Sequence, residues 1–251
     1  MNDTDSDLLF SLSPLPPVDM SEATQKIAGI HHLPIFPLPL VMLPNELLPI
    51  HIFEDRYRKM LRDVAADRKL FGITLFEPHE DFVDRPATGT VGCVAEIRDS
   101  ETLEDGRSNI LILGVIRYRL IDYVDAGEPY LVGDVEFFED DAEDPAVLDP
   151  LANDVFGWFE RMAKAAFKMG GSRGRFPEIQ RADPESLSFL ITAAFNFDNE
   201  KKYALMEMTS TIERLRDLME ILTQAATQME ETADIQTASR SNGHSKKKIS
   251  L

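Results

Sequence analysis

Between residues 33 and 57 the chain reads LPIFPLPLVMLPNELLPIHIFEDRY, apolar positions broken at short intervals by Pro34, Pro37, Pro39, Pro44 and Pro49. Proline has no backbone N–H and is excluded from helix interiors and central strands. The stretch therefore predicts short extended pieces joined by fixed turns, at the edge of a barrel-like sheet. Residues 54–66 then switch to a helical period, with Tyr57, Met60, Leu61 and Val64 on one side. Strand signals follow over residues 69–76, 90–99, 109–124 and 130–138. Asp105-Gly106 marks a tight hairpin between the second and third of these, because both residues accept positive φ. Gly72, Gly92 and Gly114 interrupt the strand patterns, as expected where a closed sheet bends or bulges.

From about residue 145 the period becomes helical. Leu151, Val155, Trp158, Phe159, Met162, Ala166 and Phe167 fall on one broad face, read as bundle core, and Gly170-Gly171-Ser172 ends that helix. Asp183-Pro184-Glu185 starts another, with a side-chain cap, proline at the first helical position and an acid at the positive end of the dipole. Leu187, Leu190, Ile191, Ala194 and Phe195 give it a stripe. Asp198 caps a short helix, and Ser210 with Glu213 forms a capping box for a long one. The buried positions of that last helix are Ile212, Leu215, Leu218, Met219, Leu222, Ala226 and Met229. The pattern predicts an α+β chain: residues 1–30 a flexible acidic arm, 31–140 a β-rich lobe, 141–231 a helical bundle and 232–251 a flexible tail.

Composition narrows the function. Hydrophobic residues make up 43% of the chain, enough for a real core. The formal charge of −18 opposes phosphate-backbone binding and adsorption to anionic membranes. Cys93 is the only cysteine, so neither an intramolecular disulfide nor a cysteine zinc site is available. The first residues carry no basic, long-apolar leader, and no run reaches the ~18 apolar residues of a membrane span. The expected compartment is a reducing cytoplasm.

Several motifs in order resemble the N-terminal substrate-binding domain of Lon proteases. They are the HIFEDRY signature (His51, Phe53, Glu54, Arg56 and Tyr57 among its residues), Gly92-Cys93-Val94, and the Asp105-Gly106 hairpin. Next come Gly114, Arg117 and Arg119 within LILGVIRYRL, Tyr130-Leu131 before Val135-Glu136, Glu200-Lys201-Lys202-Tyr203 and Glu213-Arg214-Leu215. Tyr203 stands where the family usually has glutamine. The resemblance spans about 200 residues. It implies a PUA-like pseudo-barrel lobe followed by a helical bundle, and a role in recognising unfolded or tagged polypeptides. A full Lon protease continues into an ATPase module and a Ser-Lys peptidase. This sequence has no GxxxxGK[ST] phosphate loop; GGSRG at residues 170–174 lacks the lysine and a preceding buried strand. The expectation is a recognition domain without ATPase or peptidase activity.

Other chemistry is thin. No HExxH occurs among His31, His32, His51, His79 and His244. His31-His32 reads as metal-binding with nearby acids or as a linker into the first strand. His51 reads as a hydrogen-bonding residue of the strand-to-helix turn, with Glu54 placed to pair with Arg58 at i+4. Arg117 and Arg119 share one sheet face, open either to a peptide carboxylate or to ion pairs with neighbouring strands. The signature residues are read as structural, with no catalytic, metal or cofactor site. The expected partners are polypeptide clients or a protease or chaperone, through an edge groove with apolar pockets. The alternative is a PUA-like nucleic-acid binder, which the charge opposes. The sequence leaves the oligomeric state open.

Overall fold

The computed structural model describes residues 20–77, 85–169 and 176–242. Leu8, Leu9, Phe10, His79, the Glu80-Asp81 pair, the glycine cluster at residues 170–174, His244 and Lys246 to Lys248 lie outside them. The described elements run α1 Met20–Ile27, β1 His32–Leu38, β2 Leu47–Ile52, α2 Asp55–Ala65, β3 Leu70–Leu75, β4 Val91–Thr102, β5 Ser108–Tyr123 and β6 Leu131–Phe138. Four helices follow: α3 Pro145–Met169, α4 Pro184–Ala194, α5 Asn199–Glu207 and α6 Thr211–Asn242. The chain divides into two compact units, one ending at Phe137 and one beginning at Phe138.

In the first unit the described strands run β2-β5-β4-β3-β1-β6, and β6 also pairs with β5, closing a ring. β1 is therefore flanked on both sides, not an edge as its prolines imply. It pairs antiparallel with β6 through residues 32–35 and parallel with β3 through residues 35–38. The Leu38 carbonyl accepts from Phe76 N–H at 2.8 Å, and the His31 carbonyl from Val135 N–H at 3.0 Å. Backbone polar groups alternate sides along a strand, so even residues of β1 face β3 and odd ones face β6. Pro34 turns its missing N–H to β3 where that pairing begins, and Pro37 turns its own past the end of β6. Neither proline removes a bond from the middle of a ladder.

Two apolar cores result. One lies under α2 and joins Phe36, Tyr57, Met60, Phe71, Ile73 and Ile112. The other contains Leu33, Ile35, Val94, Leu113, Tyr118 and Leu120, and α1 seals it with Ala23 and Ile27. Residues 20–27 are thus not part of a flexible arm: the i, i+4 pair Ala23 and Ile27 is buried, and Arg68 donates to the carbonyls of Lys26 at 3.2 Å and Ala28 at 2.6 Å. The hairpin closes at Asp105-Gly106, with Gly106 at φ 80° and Leu103 N–H bonded to the Arg107 carbonyl at 2.8 Å. The register shifts between the pairs Cys93–Arg117 and Ala95–Gly114: Val115 and Ile116 of β5 stand against Val94 alone of β4, so the extra residue lies on β5 directly beside Gly114, where an irregularity is expected.

In the second unit α3, α4, α5 and α6 share a core of Ala152, Val155, Leu187, Ile191, Leu205, Leu215, Leu218 and Leu222. Asp183 accepts from Ser186 N–H at 3.0 Å, and Asp198 from Lys201 N–H at 2.8 Å, so both expected caps form. Ser210 Oγ accepts from Glu213 N–H at 3.1 Å and donates to Glu143 at 2.6 Å. Ala166 and Ala194, expected inside, are exposed, whereas Ala165 and Phe189 are buried. Four consecutive residues of α4, Ser186 to Phe189, are buried, so this helix is enclosed and has no single stripe. α6 continues to Asn242, beyond the residue 232 at which a flexible tail was expected.

Candidate functional site

Among the described residues the sheet of the first unit leaves a gap. Among the described strands β2 pairs with β5 alone, and none lies beside β1 on the β6 side after Ile35. Between these two edges lies a cleft of about 640 Å³, whose apolar lining includes Phe36, Leu38, Ile52, Phe53, Tyr57 and Phe76. β2 delivers Ile52 into the core and then swings Phe53 outward, 62% exposed, just before α2 begins. Exposed aromatics of this size on a concave apolar surface mark interaction sites.

The signature residues build the wall of this cleft. Glu54 is the extended residue that caps α2, with its carbonyl accepting from Tyr57 and Arg58 N–H. Its carboxylate is held by Arg56 at 2.8 and 2.9 Å, not by Arg58, which pairs with Asp55. A residue outside the helix does not project along the i, i+4 row, which is why the expected pair does not form. The Arg56 guanidinium lies 4.5 Å from the centre of the Tyr57 ring, and that ring packs 4.2 Å from Phe36. Burial pushes the Tyr57 phenol up, so it stays neutral. The two charges at the rim face each other, and the floor stays apolar.

His51 bonds across the strands, from Nδ1 to Asn109 Oδ1 at 2.7 Å, and not within the turn. Its ring stacks beside Phe53 at 6.2 Å. Gly92 lies opposite Tyr118, and a Cβ there would come within 2.5 Å of that ring. Gly114 sits against the Leu43 carbonyl. Arg117 is 1% exposed, which removes it as a surface grip for a carboxylate, and Arg119 donates to the Gly89 carbonyl at 3.0 Å. None of Gly92, Gly114, Arg117 or Arg119 reaches the cleft. Phe36, Leu38 and Phe76, which do, carry no motif; their only signal is an apolar residue beside the prolines or at a strand end.

His31 and His32 line a separate hollow of about 540 Å³ with Asp63 and Asp67. Among the described residues no group of three or more His, Cys, Asp or Glu side chains is placed to hold a metal ion. Cys93 is fully buried, and burial pushes its thiol up, away from the reactive thiolate. Among the described residues no helix is long and apolar enough to cross a membrane.

With this geometry in place, comparison with known proteins is decisive. The profile of the ATP-dependent protease La (LON) substrate-binding domain matches residues 32–224. The chain belongs to the Lon substrate-binding domain family. It is 25% identical over 194 residues to Lon protease 2 of Herpetosiphon aurantiacus and 28% identical over 198 residues to Lon protease 1 of Thermus thermophilus. Each match takes in 76% of this chain and 24% of the relative, so the chain spans about a quarter of the length of these relatives. A Lon N-terminal domain protein from Xanthomonas campestris superposes with a TM-score of 0.53 at 25% identity. The N-terminal domain of a Mycobacterium avium complex Lon protease does so with a TM-score of 0.56 at 18% identity, a likeness of fold. Both cover 76% of this chain and 98% of the solved one. The Lon-type α+β architecture implied by HIFEDRY and its companions is the fold observed; α1 lies before the matched region.

Proposed function

We propose that this chain is a non-catalytic, cytoplasmic recognition module that holds unfolded or tagged polypeptide segments in the cleft between β1 and β2. In this reading it delivers them to a protease or chaperone partner in protein quality control. The observation that carries the reading is Phe53: an aromatic left exposed by the family signature at the lip of an apolar cleft, inside a region matched to a substrate-binding domain. One module with a small interface binds weakly, with a Kd in the micromolar range (roughly −8 kcal/mol).

The test is titration of a labelled, permanently unfolded protein with wild type and Phe53→Ser. The variant is expected to bind about tenfold more weakly, with an unchanged melting temperature because Phe53 contributes little to the core. Equal binding by a folded Phe53→Ser would remove the cleft from this reading. Neither ATP nor casein is expected to be hydrolysed; turnover abolished by a point change within residues 33–231 would overturn the non-catalytic assignment.

A further inference from the structure

The two rims of the cleft are backbone edges, and their polarity is uneven. On the β1 rim the alternation set by the Leu38 and His31 carbonyls turns residue 37 toward the gap. Residue 37 is a proline, so this rim presents a carbonyl there and no N–H. On the β2 rim the Glu46 carbonyl accepts from Gly114 N–H at 2.9 Å, so even residues face β5 and Leu47, Pro49 and His51 face outward. The side chains of Pro49 and His51 are exposed. This rim offers carbonyls at all three outward residues and N–H donors at Leu47 and His51, but none at Pro49 between them.

Resting on the reading of the cleft as a polypeptide site, we propose that Pro37 and Pro49 set its selectivity. They leave the rims with more outward carbonyls than N–H groups, so that acceptors exceed donors along the cleft. The occupant is then an extended apolar segment held through its own N–H groups, with its side chains on Phe36, Phe53 and Tyr57. A proline-rich segment, which carries carbonyls and few N–H groups, is rejected. The net charge of −18 separately favours segments that carry basic side chains.

The test uses the full chain and two short fluorescent peptides of alternating leucine, phenylalanine and serine with lysine at each end. One is unmodified and the other is N-methylated at every second amide. The unmodified peptide is expected to bind about tenfold more tightly, the effect of losing two modest hydrogen bonds. Pro49→Ala, which restores a donor on the rim, is expected to tighten the unmodified peptide about threefold. Binding of the two peptides within twofold of each other would overturn the inference and leave the cleft reading intact. Binding of neither peptide would overturn both. A folded Pro49→Ala with unchanged affinity would overturn the role given to Pro49, and the wild-type comparison carries the test if that variant does not fold.

Discussion

In the first unit the elements are located by steric fit between strands distant in sequence, whereas in the second they are located by polar caps and one buried ion pair. The Leu43–Glu46 turn lies flat on Gly114, with Asn45 N–H bonded to the Gly114 carbonyl and Gly114 N–H to that of Glu46, each at 2.9 Å. Tyr118 occupies space that Gly72 and Gly92 leave open, and its hydroxyl bonds to Thr74. In the second unit Arg214 is wholly buried and Asp140 nearly so. The guanidinium also donates to Ser188 Oγ at 2.7 Å and the Met208 carbonyl at 2.9 Å, and lies 4.0 Å from the centre of the Phe189 ring. Steric fit tolerates no added atom; a polar staple tolerates shape changes but no missing partner.

The severest break of this contrast is Gly114→Val. A Cβ at this position would be driven into the Leu43 carbonyl, with Cys93 Sγ also only 3.2 Å away. The obstacle is close backbone approach, since Gly114 is not among the positive-φ glycines. The expected cost exceeds about 4 kcal/mol, enough to prevent folding of the β unit. A wild-type thermal melt would show that the turn can lift off the strand.

The second unit is tested by breaking its staple. Asp140→Leu alone leaves a buried guanidinium short of its counter-charge and is expected to cost about 3–5 kcal/mol. Adding Arg214→Met removes the stranded charge, so the double variant should recover much of that loss. A double-mutant cycle by urea unfolding measures the coupling. Simple additivity of the two losses would mean that the pair is not the staple.

Legibility in the sequence follows the same division. The helix starts were readable because a cap is a local event: Asp183-Pro184, Asp198 and Ser210 each act within three residues. The strands were readable from their runs, but not which strand neighbours which. Parallel pairing of β1 with β3 and its antiparallel pairing with β6 over different halves are non-local facts. The prolines therefore suggested an edge when they mark the points where one partner hands over to the next. The cleft was half legible. HIFEDRY named Phe53, Glu54, Arg56 and Tyr57, while Phe36 and Phe76 join them only through the sheet. α1 escaped notice because Ala23 and Ile27 form a stripe too short to stand out from an acidic, proline-bearing stretch.

That missed helix gives a smaller effect. A chain beginning at residue 31 loses the burial of Ala23 and Ile27, the ion pair of Lys26 with Glu96 at 2.9 Å, and the seal over the second core. The expected cost is about 2–3 kcal/mol relative to a chain beginning at residue 20, nearly all of it from apolar burial because partly exposed ion pairs contribute little. Chemical denaturation of the two chains measures it. Equal stability would return residues 20–27 to the status of an arm.

The smallest effect sharpens the comparison by pH. In the β unit, burial and then the bond to Asp63 at 2.8 Å hold the Tyr130 phenol up, to about 12. An unfolded tyrosine titrates near ~10. The folded state therefore keeps a proton that the unfolded state releases between these values. The contribution is fully present below about pH 10 and is lost as pH rises toward about 12. Lys59, raised by its bonds to Asp63 and Glu128, loses its contribution in the same direction. Asp63 acts at the other end: bonded to Lys59, its carboxyl is lowered, and that contribution disappears as pH falls below the usual carboxylate range. Tyr130→Phe removes the phenol's alkaline contribution without disturbing the ring's packing. Wild type should accordingly lose more stability than Tyr130→Phe between about pH 9 and about pH 11.5, by roughly 1 kcal/mol or less after solvent screening. Thermal melts of the two proteins across that range make the comparison. Parallel curves would show that the phenol's bond to Asp63 does not distinguish the folded from the unfolded state.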